Sequence, residues 1–308
     1  MSSFIFFEDR DIINKVSFTL YCIIFVLGTI GNGLVIWIAG FRMKKTISAV
    51  WFLNLAIADF LCCASLPLRI VEWLAFFSLY ENVICFLSII LFNLNVSASV
   101  LLLTAMSIDR CVSVMWPFWT KVHRTHKLVR ITAAIIWVLS LLLTGLVVYF
   151  YVYYLYNVNE WCTVFYNFYD DYIHKIKLTI RSLRLVIMFV IPFLIILISY
   201  GIIFIKLRKS KRSKRSQRPY RIITAVILGF FICWSPYYIW PLTPMYDVDD
   251  FQFYLVNAII INLASLNSCI NPIIYVFMGQ DFKHSFFRSI PARVEKALSE
   301  HPNDICRE

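Results

Sequence analysis

Charged residues are scarce in this chain of 308 residues: only 15% are Asp, Glu, Lys or Arg, whereas 60% are apolar. The mean hydropathy of +0.74 is too high for a soluble protein with a solvated surface, so composition excludes an ordinary soluble fold. Histidine is scarce as well, and all five copies fall in predicted loops or tails: His123, His126, His174, His284 and His301. An intramembrane enzyme needs His, Cys or paired acids that meet within the spans. The sequence contains no such set and no catalytic motif, so we expect no enzymatic activity.

The apolar residues are grouped in seven long blocks. The blocks cover residues 16–40, 47–73, 85–115, 131–154, 178–207, 222–245 and 251–277. At about 1.5 Å of rise per residue, a helix of each length crosses the roughly 30 Å hydrocarbon core of a bilayer. Strand-like alternation is absent, and backbone polar groups in lipid must be satisfied within helices or closed barrels. The sequence therefore predicts an all-α membrane protein, a seven-transmembrane helix bundle.

The domain organisation follows from these spans. We expect an extracellular N-terminal arm at residues 1–15, a seven-transmembrane domain at 16–277, a short amphipathic eighth helix at 278–289 and a cytoplasmic tail at 290–308. The amphipathic stretch has phenylalanines on one side and basic residues on the other, and should lie along the inner leaflet. We expect no cleavable signal peptide and no second soluble domain.

The basic residues predict the orientation of the bundle. The segment from Lys206 to Arg221 contains nine basic residues and no acid, and the loops after the first and third spans are basic too. Positively charged loops stay in the cytoplasm, so the N-terminus should lie outside the cell. The net charge of +11 reflects this topology, and we expect no nucleic-acid binding.

Cysteine positions indicate one disulfide. Six of the nine cysteines lie in or at the ends of predicted helices, where cysteine is usually a small apolar filler. Cys85, at the outer start of the third span, and Cys162, in the second outer loop, face the oxidising side of the membrane, so we predict that they pair.

One acid lies deep in the membrane. Asp59 is near the middle of the second span, where a charge costs several kcal/mol unless it is paired or hydrated. Polar residues on other spans could surround it: Asn32, Asn95, Ser99, Asn267, Ser268 and Asn271. One carboxylate among neutral oxygens suits a hard ion such as sodium, whereas zinc prefers Cys or His. The alternative is a hydrogen-bond network between helices without an ion.

Every span also carries a recognisable motif. In chain order these are Gly31-Asn32, Leu55-Ala56-Ile57-Ala58-Asp59, Asp109-Arg110-Cys111, Trp137, Pro192 with Tyr200, Cys233-Trp234-Ser235-Pro236, and Asn271-Pro272-Ile273-Ile274-Tyr275. Together they resemble the rhodopsin-like G-protein-coupled receptors, over nearly the whole chain from Gly31 to Phe287. The resemblance implies a receptor that senses an extracellular ligand and activates a G protein.

The resemblance also implies activation switches. Arg110 would pair with its neighbour Asp109 at rest, as a two-state electrostatic element. Trp234, above Pro236, would be the rotamer switch under the ligand pocket. Val100, Pro192 and Phe230 would form the packing triad below it, although ordinary core packing is the alternative. Tyr200 and Tyr275 would meet near Arg110 in the active state. Prolines in the last three spans, including Pro272 beside Asn271, can kink their helices.

Within this family the chain is most similar to the chemoattractant receptors for formyl peptides, anaphylatoxins and chemerin. The stretches that carry the likeness are Trp51 to Ala56, Ser107 to Cys111, Phe230 to Trp234 and Val276 to Phe282, and the tail looks most like formyl-peptide receptors. The likeness implies a peptide or small-protein ligand and inhibitory-class G proteins, with arrestin as a further partner. A non-signalling or scavenging receptor of the same fold is the alternative, and a membrane transporter is a remote one.

The candidate ligand pocket is rich in arginine. Arg181 and Arg184 lie three residues apart on the fifth span and so share a face. A guanidinium in a half-buried cavity suits a bidentate contact with a carboxylate such as a peptide C-terminus. Alternatively, Arg184 snorkels to lipid headgroups or pairs with Asp170 or Asp171. Arg69, at the outer end of the second span, either joins the pocket or pairs with Glu72. Aromatic walls would come from Phe92, Trp73, Tyr237, Tyr238 and Trp240.

Two departures from the family pattern narrow the ligand. Asn93 stands where formyl-peptide receptors place an acid on the third span, and Asn257 stands where anaphylatoxin receptors place one on the seventh. Each loss removes a counter-charge for a basic ligand group. A ligand that ends in arginine is therefore disfavoured, and a peptide with an apolar C-terminal residue is favoured.

Overall fold

A computed structural model of the chain describes residues 2–42, 46–74, 81–155, 171–209, 218–243 and 248–278. Helices fill almost all of these ranges: α1 (Ser2–Trp37), α2 (Ile47–Leu74), α3 (Glu81–Met115), the short α4 (Pro117–His123), α5 (His126–Leu155), α6 (Asp171–Leu185), α7 (Ile191–Lys209), α8 (Arg218–Ile239) and α9 (Asp250–Met278). A π turn, Ile38–Arg42, ends α1, and a second, Val186–Val190, joins α6 to α7 into one fifth span. A 3-10 turn, Trp240–Leu242, ends α8.

The seven predicted spans are confirmed. Within the described ranges, seven helices are long and apolar enough to cross a membrane. They run over Asp11–Arg42, Ile47–Ile70, Phe86–Met115, His126–Phe150, Leu178–Lys206, Thr224–Leu242 and Phe251–Ile274. Helix α1 starts already at Ser2, so the segment that the sequence assigned to an N-terminal arm continues the first span as one helix. The predicted eighth helix and the cytoplasmic tail lie outside the described residues.

Helix α3 is the centre of the bundle. It packs against α2, α5 and α7 and is the most buried of the seven spans, whereas α5 is the least buried. Helices α1 and α9 pack against each other and close the bundle, with α8 beside α9. The exposed side of α5 is lined by Leu and Ile, as expected of a surface that faces lipid.

Two glycines let α1 approach its neighbours closely. A Cβ on Gly28 would lie 2.2 Å from Cys63 Sγ in α2 and 3.0 Å from Cys269 Sγ in α9. A Cβ on Gly31, part of the first-span motif, would lie 3.0 Å from Pro272 Cβ in α9. All three distances are shorter than normal van der Waals contact, so a side chain at either position would require neighbouring atoms to move. Small residues at helix crossings are the usual route to tight packing in membranes.

Three helices contain an internal proline. Pro67 lies inside α2, Pro236 inside α8 and Pro272 inside α9. Each removes one backbone hydrogen bond from its helix, which allows local bending. Pro192 lies at the second position of α7, directly after the π turn. Pro192, Pro236 and Pro272 belong to the sequence motifs, whereas Pro67 belongs to none of them.

Candidate functional site

Arg184 lies in a cluster formed by three spans. Its Nη2 donates to Asn93 Oδ1 of α3 at 2.5 Å, and its Nη1 donates to the Tyr237 hydroxyl of α8 at 3.2 Å. The guanidinium carbon also lies 5.3 Å from the ring centroid of Tyr237 and 5.6 Å from that of Tyr238. Such cation–π contacts contribute about 0.5–2 kcal/mol each. The side chain is thus half buried and directed into the bundle, so the snorkelling alternative does not describe it.

Buried aromatic rings form the floor under this cluster. The Phe92 ring lies 5.3 Å from the Trp234 ring and 5.5 Å from the Tyr237 ring, and Trp234 and Tyr237 meet edge to face at 5.5 Å. Trp234 is fully buried, with Phe230 6.0 Å below it. The pocket that the sequence predicted and the predicted rotamer switch are therefore in direct contact through Phe92.

Arg69 reaches the same floor from α2. Its guanidinium carbon lies 4.8 Å above the centroid of Phe92, whose side chain is only 5% exposed. This contact directs the charge toward the bundle interior, and the role of Arg69 in ligand binding stays a prediction. The side chain of Glu72, its alternative partner, lies outside the described residues.

The other predicted pocket residues have contacts outside the Arg184 cluster, or their side chains are not among the described residues. Arg181 Nη1 donates to the carbonyl of Pro241 at 3.3 Å, in the turn that ends α8. Within the described part of the chain, the buried Asn257 of α9 makes no hydrogen bond with the Arg184 cluster. Trp240 is partly buried at the end of α8. The Trp73 side chain lies outside the described residues.

Asp59 lies at a second polar site, near the middle of the bundle. Its carboxylate is fully buried and accepts from Asn95 Nδ2 of α3 at 3.0 Å and from Asn271 Nδ2 of α9 at 2.7 Å. Asn95 Nδ2 also lies 3.5 Å from Ser99 Oγ. Asn32 instead donates to the backbone carbonyl of Ser268 at 2.8 Å. Most of the predicted cage is thus assembled around one carboxylate.

The residues of this site suit a hard cation. Two oxygens beside Asp59 are buried and have no hydrogen-bond partner among the described residues: Asn95 Oδ1 and Asn271 Oδ1, whose amide nitrogens contact the carboxylate. Buried polar atoms normally have a partner, so these oxygens are available to an ion or to water. The described residues contain no group of three His, Cys, Asp or Glu that could hold a metal ion. One carboxylate with neutral oxygens fits sodium and does not fit zinc.

The Asp109-Arg110 pair makes contacts that the sequence did not predict. Both carboxylate oxygens of Asp109 accept from Arg124, which follows α4: Oδ1 from Nε at 2.6 Å and Oδ2 from Nη2 at 2.5 Å. Arg110 donates from Nη2 to Ser48 Oγ of α2 at 2.5 Å. The sequence predicted a pair of Asp109 with Arg110 and did not identify Arg124 or Ser48, because these two residues lie in other segments of the chain.

The roles of the remaining switch residues stay predictions. Val100 and Phe230 are fully buried in one core cluster, and Pro192 is buried at the start of α7. Tyr200 is partly buried. The side chain of Tyr275 lies outside the described residues, as do Cys162 and the side chain of Cys85, so the predicted disulfide stays a prediction.

Further hydrogen bonds join helices through motif residues. Trp137 Nε1 of α5 donates to Asn54 Oδ1 of α2 at 2.9 Å. Asn262 Nδ2 of α9 donates to Ser17 Oγ of α1 at 2.9 Å. The sequence analysis noted Trp137 and Asn54 in separate motifs, but no local pattern could show that they meet.

Comparison with known proteins gives the family. The family model described as "7 transmembrane receptor (rhodopsin family)" matches residues 31–275. The chain is 38% identical to the C3a anaphylatoxin chemotactic receptor of Danio rerio, over 96% of this chain and 81% of that protein. It is 35% identical to N-formyl peptide receptor 3 of Macaca mulatta, over 93% of this chain and 86% of that protein, and 36% identical to the fMet-Leu-Phe receptor of the same species, over 92% and 86%.

The chain belongs to the rhodopsin family of G-protein-coupled receptors, and its relatives are chemoattractant receptors. It is a multi-pass protein of the plasma membrane and is not an enzyme.

Proposed function

We propose that this receptor binds an extracellular peptide or small-protein chemoattractant through a carboxylate, and that it signals through inhibitory-class G proteins. The observation that carries the proposal is the position of Arg184, half buried between Asn93, Tyr237 and Tyr238. The names of the relatives, which include receptors for formyl peptides and for C3a, support a peptide or protein ligand.

Arg184 is suited to an anionic ligand. Asn93 and Tyr237 orient its guanidinium within the pocket. Arginine has five N–H donors in a planar fork, so a carboxylate can be bound by two of them at once. The aromatic floor of Phe92 and Trp234 lies directly beside it and is suited to an apolar side chain. A free C-terminus on an apolar residue combines both features.

The test is a screen of short peptides with free C-termini, formylated and unformylated, for suppression of cyclic AMP in cells. Each active peptide is compared with its C-terminal amide, which keeps the shape and removes the negative charge. On the parent receptor, the amide should lose potency by about tenfold or more, because a charge-assisted hydrogen bond contributes about 1.5–3 kcal/mol. On an Arg184→Gln variant with matched surface expression, acid and amide should be equally weak.

Two results would count against the anchor. Potency unchanged by Arg184→Gln would show that the carboxylate binds elsewhere. Equal potency of acid and amide on the parent receptor would show that the ligand's charge is not recognised. Loss of signalling on treatment with an inhibitor of inhibitory-class G proteins would support the coupling, whereas a retained signal would assign another class. Recruitment of arrestin by the same peptides can be measured in parallel.

We further propose that the Asp59 site holds a sodium ion in the resting receptor. The ion would be held by the carboxylate together with oxygens of Asn95, Ser99, Asn267 and Asn271, of which the first and last already contact Asp59. A bound cation would offset the cost of a fully buried charge. Agonist affinity should fall when sodium replaces a large organic cation at constant ionic strength. Asp59→Asn should abolish this difference, and equal affinity in both salts on the parent receptor would contradict the proposal.

The orientation of the bundle is proposed from the basic loops, with the N-terminus outside the cell. An epitope tag placed before residue 2 should be accessible to antibody on intact cells. A tag in the basic segment between α7 and α8 should become accessible only after permeabilisation, and the reverse pattern would contradict the arrangement.

A further inference from the structure

Arg69 presents a second positive charge to the aromatic floor that also contacts Arg184. Its guanidinium stacks on Phe92, Phe92 contacts Tyr237, and Tyr237 contacts Arg184. The two arginines come from α2 and α6. The described residues thus form one continuous chain of contacts with a cation at each end and the two rings between them.

The contact with Phe92 does not engage the N–H donors of Arg69. Stacking engages the flat face of a guanidinium, whereas its N–H groups point outward in the plane. Among the described residues, none accepts a hydrogen bond from Arg69 and none forms an ion pair with it. An arginine that only served packing could extend to the headgroups instead. Here the charge stays over a ring that is 95% buried, beside the proposed ligand position.

A polar atom of α3 faces the same region. Ser88 lies four residues before Phe92, one helical turn away on the same face of α3. It is 3% exposed, and its Oγ has no hydrogen-bond partner among the described residues. The Ser88 hydroxyl on the Phe92 face of α3 and the in-plane N–H donors of Arg69 both suit an anionic group with several acceptor oxygens.

From this arrangement we infer that the ligand carries two anionic groups: a C-terminal carboxylate bound by Arg184 and an acidic side chain bound by Arg69, with apolar residues over Phe92 and Trp234 between them. This inference rests on the proposed function, because it uses Arg184 as the anchor of the C-terminus. It specifies the ligand class as an acidic peptide rather than any peptide with a free C-terminus.

The ring contacts limit the spacing of the two acids. The guanidinium carbons of Arg69 and Arg184 are joined through the ring centroids of Phe92 and Tyr237 by distances of 4.8, 5.5 and 5.3 Å. The direct distance between the two carbons cannot exceed the sum of these three. An extended peptide advances about 3.4 Å per residue. The acidic residue should therefore lie within about four residues of the C-terminus.

The experiment uses hexapeptides with a free C-terminal Leu or Phe. In each peptide one of the four preceding positions carries Glu, and a matched peptide carries Gln there. Potency for cyclic-AMP suppression is measured on the parent receptor and on Arg69→Gln, Arg69→Lys and Lys15→Gln. The last variant is a charge control, since the Lys15 side chain on α1 is 74% exposed and pairs with Asp11.

For at least one position, the Glu peptide should be about tenfold or more stronger than its Gln match on the parent receptor and on Lys15→Gln. On Arg69→Gln this ratio should fall to about one, and surface expression equal to that of the parent receptor would show that the variant folds. Arg69→Lys should keep part of the ratio, because it retains the charge but loses the fork.

Two other results overturn the inference and are distinguishable. Equal potency of all Glu and Gln pairs, or a preference for Glu that survives Arg69→Gln, rejects the second anionic group and leaves the carboxylate anchor intact. If no peptide with a free C-terminus is active while C-terminal amides are, the proposed function fails and the inference fails with it.

Discussion

The packing of α1 against α2 and α9 makes Gly28 a sharp test of the bundle. In Gly28→Ala, the added Cβ would lie 2.2 Å from Cys63 Sγ, 3.0 Å from Cys269 Sγ and 3.1 Å from Cys63 Cβ. Non-bonded heavy atoms pack best at about 3.5–4.0 Å, so the helices must separate or Cys63 must change rotamer. Overpacking of this kind costs about 1–3 kcal/mol in a well-packed core.

Gly145→Ala is the matched control, because its Cβ would have no atom within 4 Å on the outer face of α5. Alanine is favoured over glycine inside a helix by up to about 1 kcal/mol, and both variants gain this term. The difference between them therefore isolates the clash. Thermal unfolding of the purified receptor in detergent should show Gly28→Ala melting about 2–6 °C below Gly145→Ala, at roughly 2 °C per kcal/mol for a protein of this size.

A second substitution locates the clash. Cys63→Ala removes the sulfur that would lie 2.2 Å from the added Cβ at residue 28. The double variant Gly28→Ala/Cys63→Ala should therefore be more stable than the summed destabilisation of the two single variants predicts. The Cys269 sulfur remains, so the rescue should be partial. Equal melting of the Gly28→Ala and Gly145→Ala variants, or strictly additive effects in the double variant, would refute the close approach of α1 to α2.

Two other contacts give predictions for the same unfolding assay. Arg124→Gln should destabilise the receptor by about 1.5–3 kcal/mol, because it removes a bidentate contact to Asp109 whose two side chains are only 20% and 13% exposed. Asp109→Asn should cost a similar amount, and the double variant little more; additive effects would contradict the pairing. Trp137→Phe should cost about 0.5–1.5 kcal/mol through its hydrogen bond to Asn54, and an unchanged melting temperature would show that this bond contributes nothing.

Much of the site could be predicted because each motif is local in the sequence. The blocks of apolar residues gave the number of spans, and Asp59 was recognised because a charge in an apolar block needs a partner. The members of the Arg184 cluster could be named from the sequence, since Arg184, Asn93 and Tyr237 had all been assigned to the pocket.

Other contacts could not be read from the sequence because they depend on how distant segments meet. Arg181 and Arg184 share a helical face by spacing, yet Arg181 contacts Pro241 while Arg184 contacts Asn93. The pairing of Asp109 with Arg124 depends on the short helix α4, which was not predicted. Neither partner is identified by its own neighbours in the chain.

The sequence by itself determined that this protein lies in a lipid bilayer and that its spans are helical. Uncharged segments longer than a bilayer is thick must form helices there, because lipid offers no hydrogen-bond partners to the backbone. Only the tertiary structure decided which side chains meet, such as Arg69 with Phe92 or Gly28 with Cys63. The physical reason is that hydropathy depends on composition along one helix, whereas a contact between helices depends on the rotation and close approach of two.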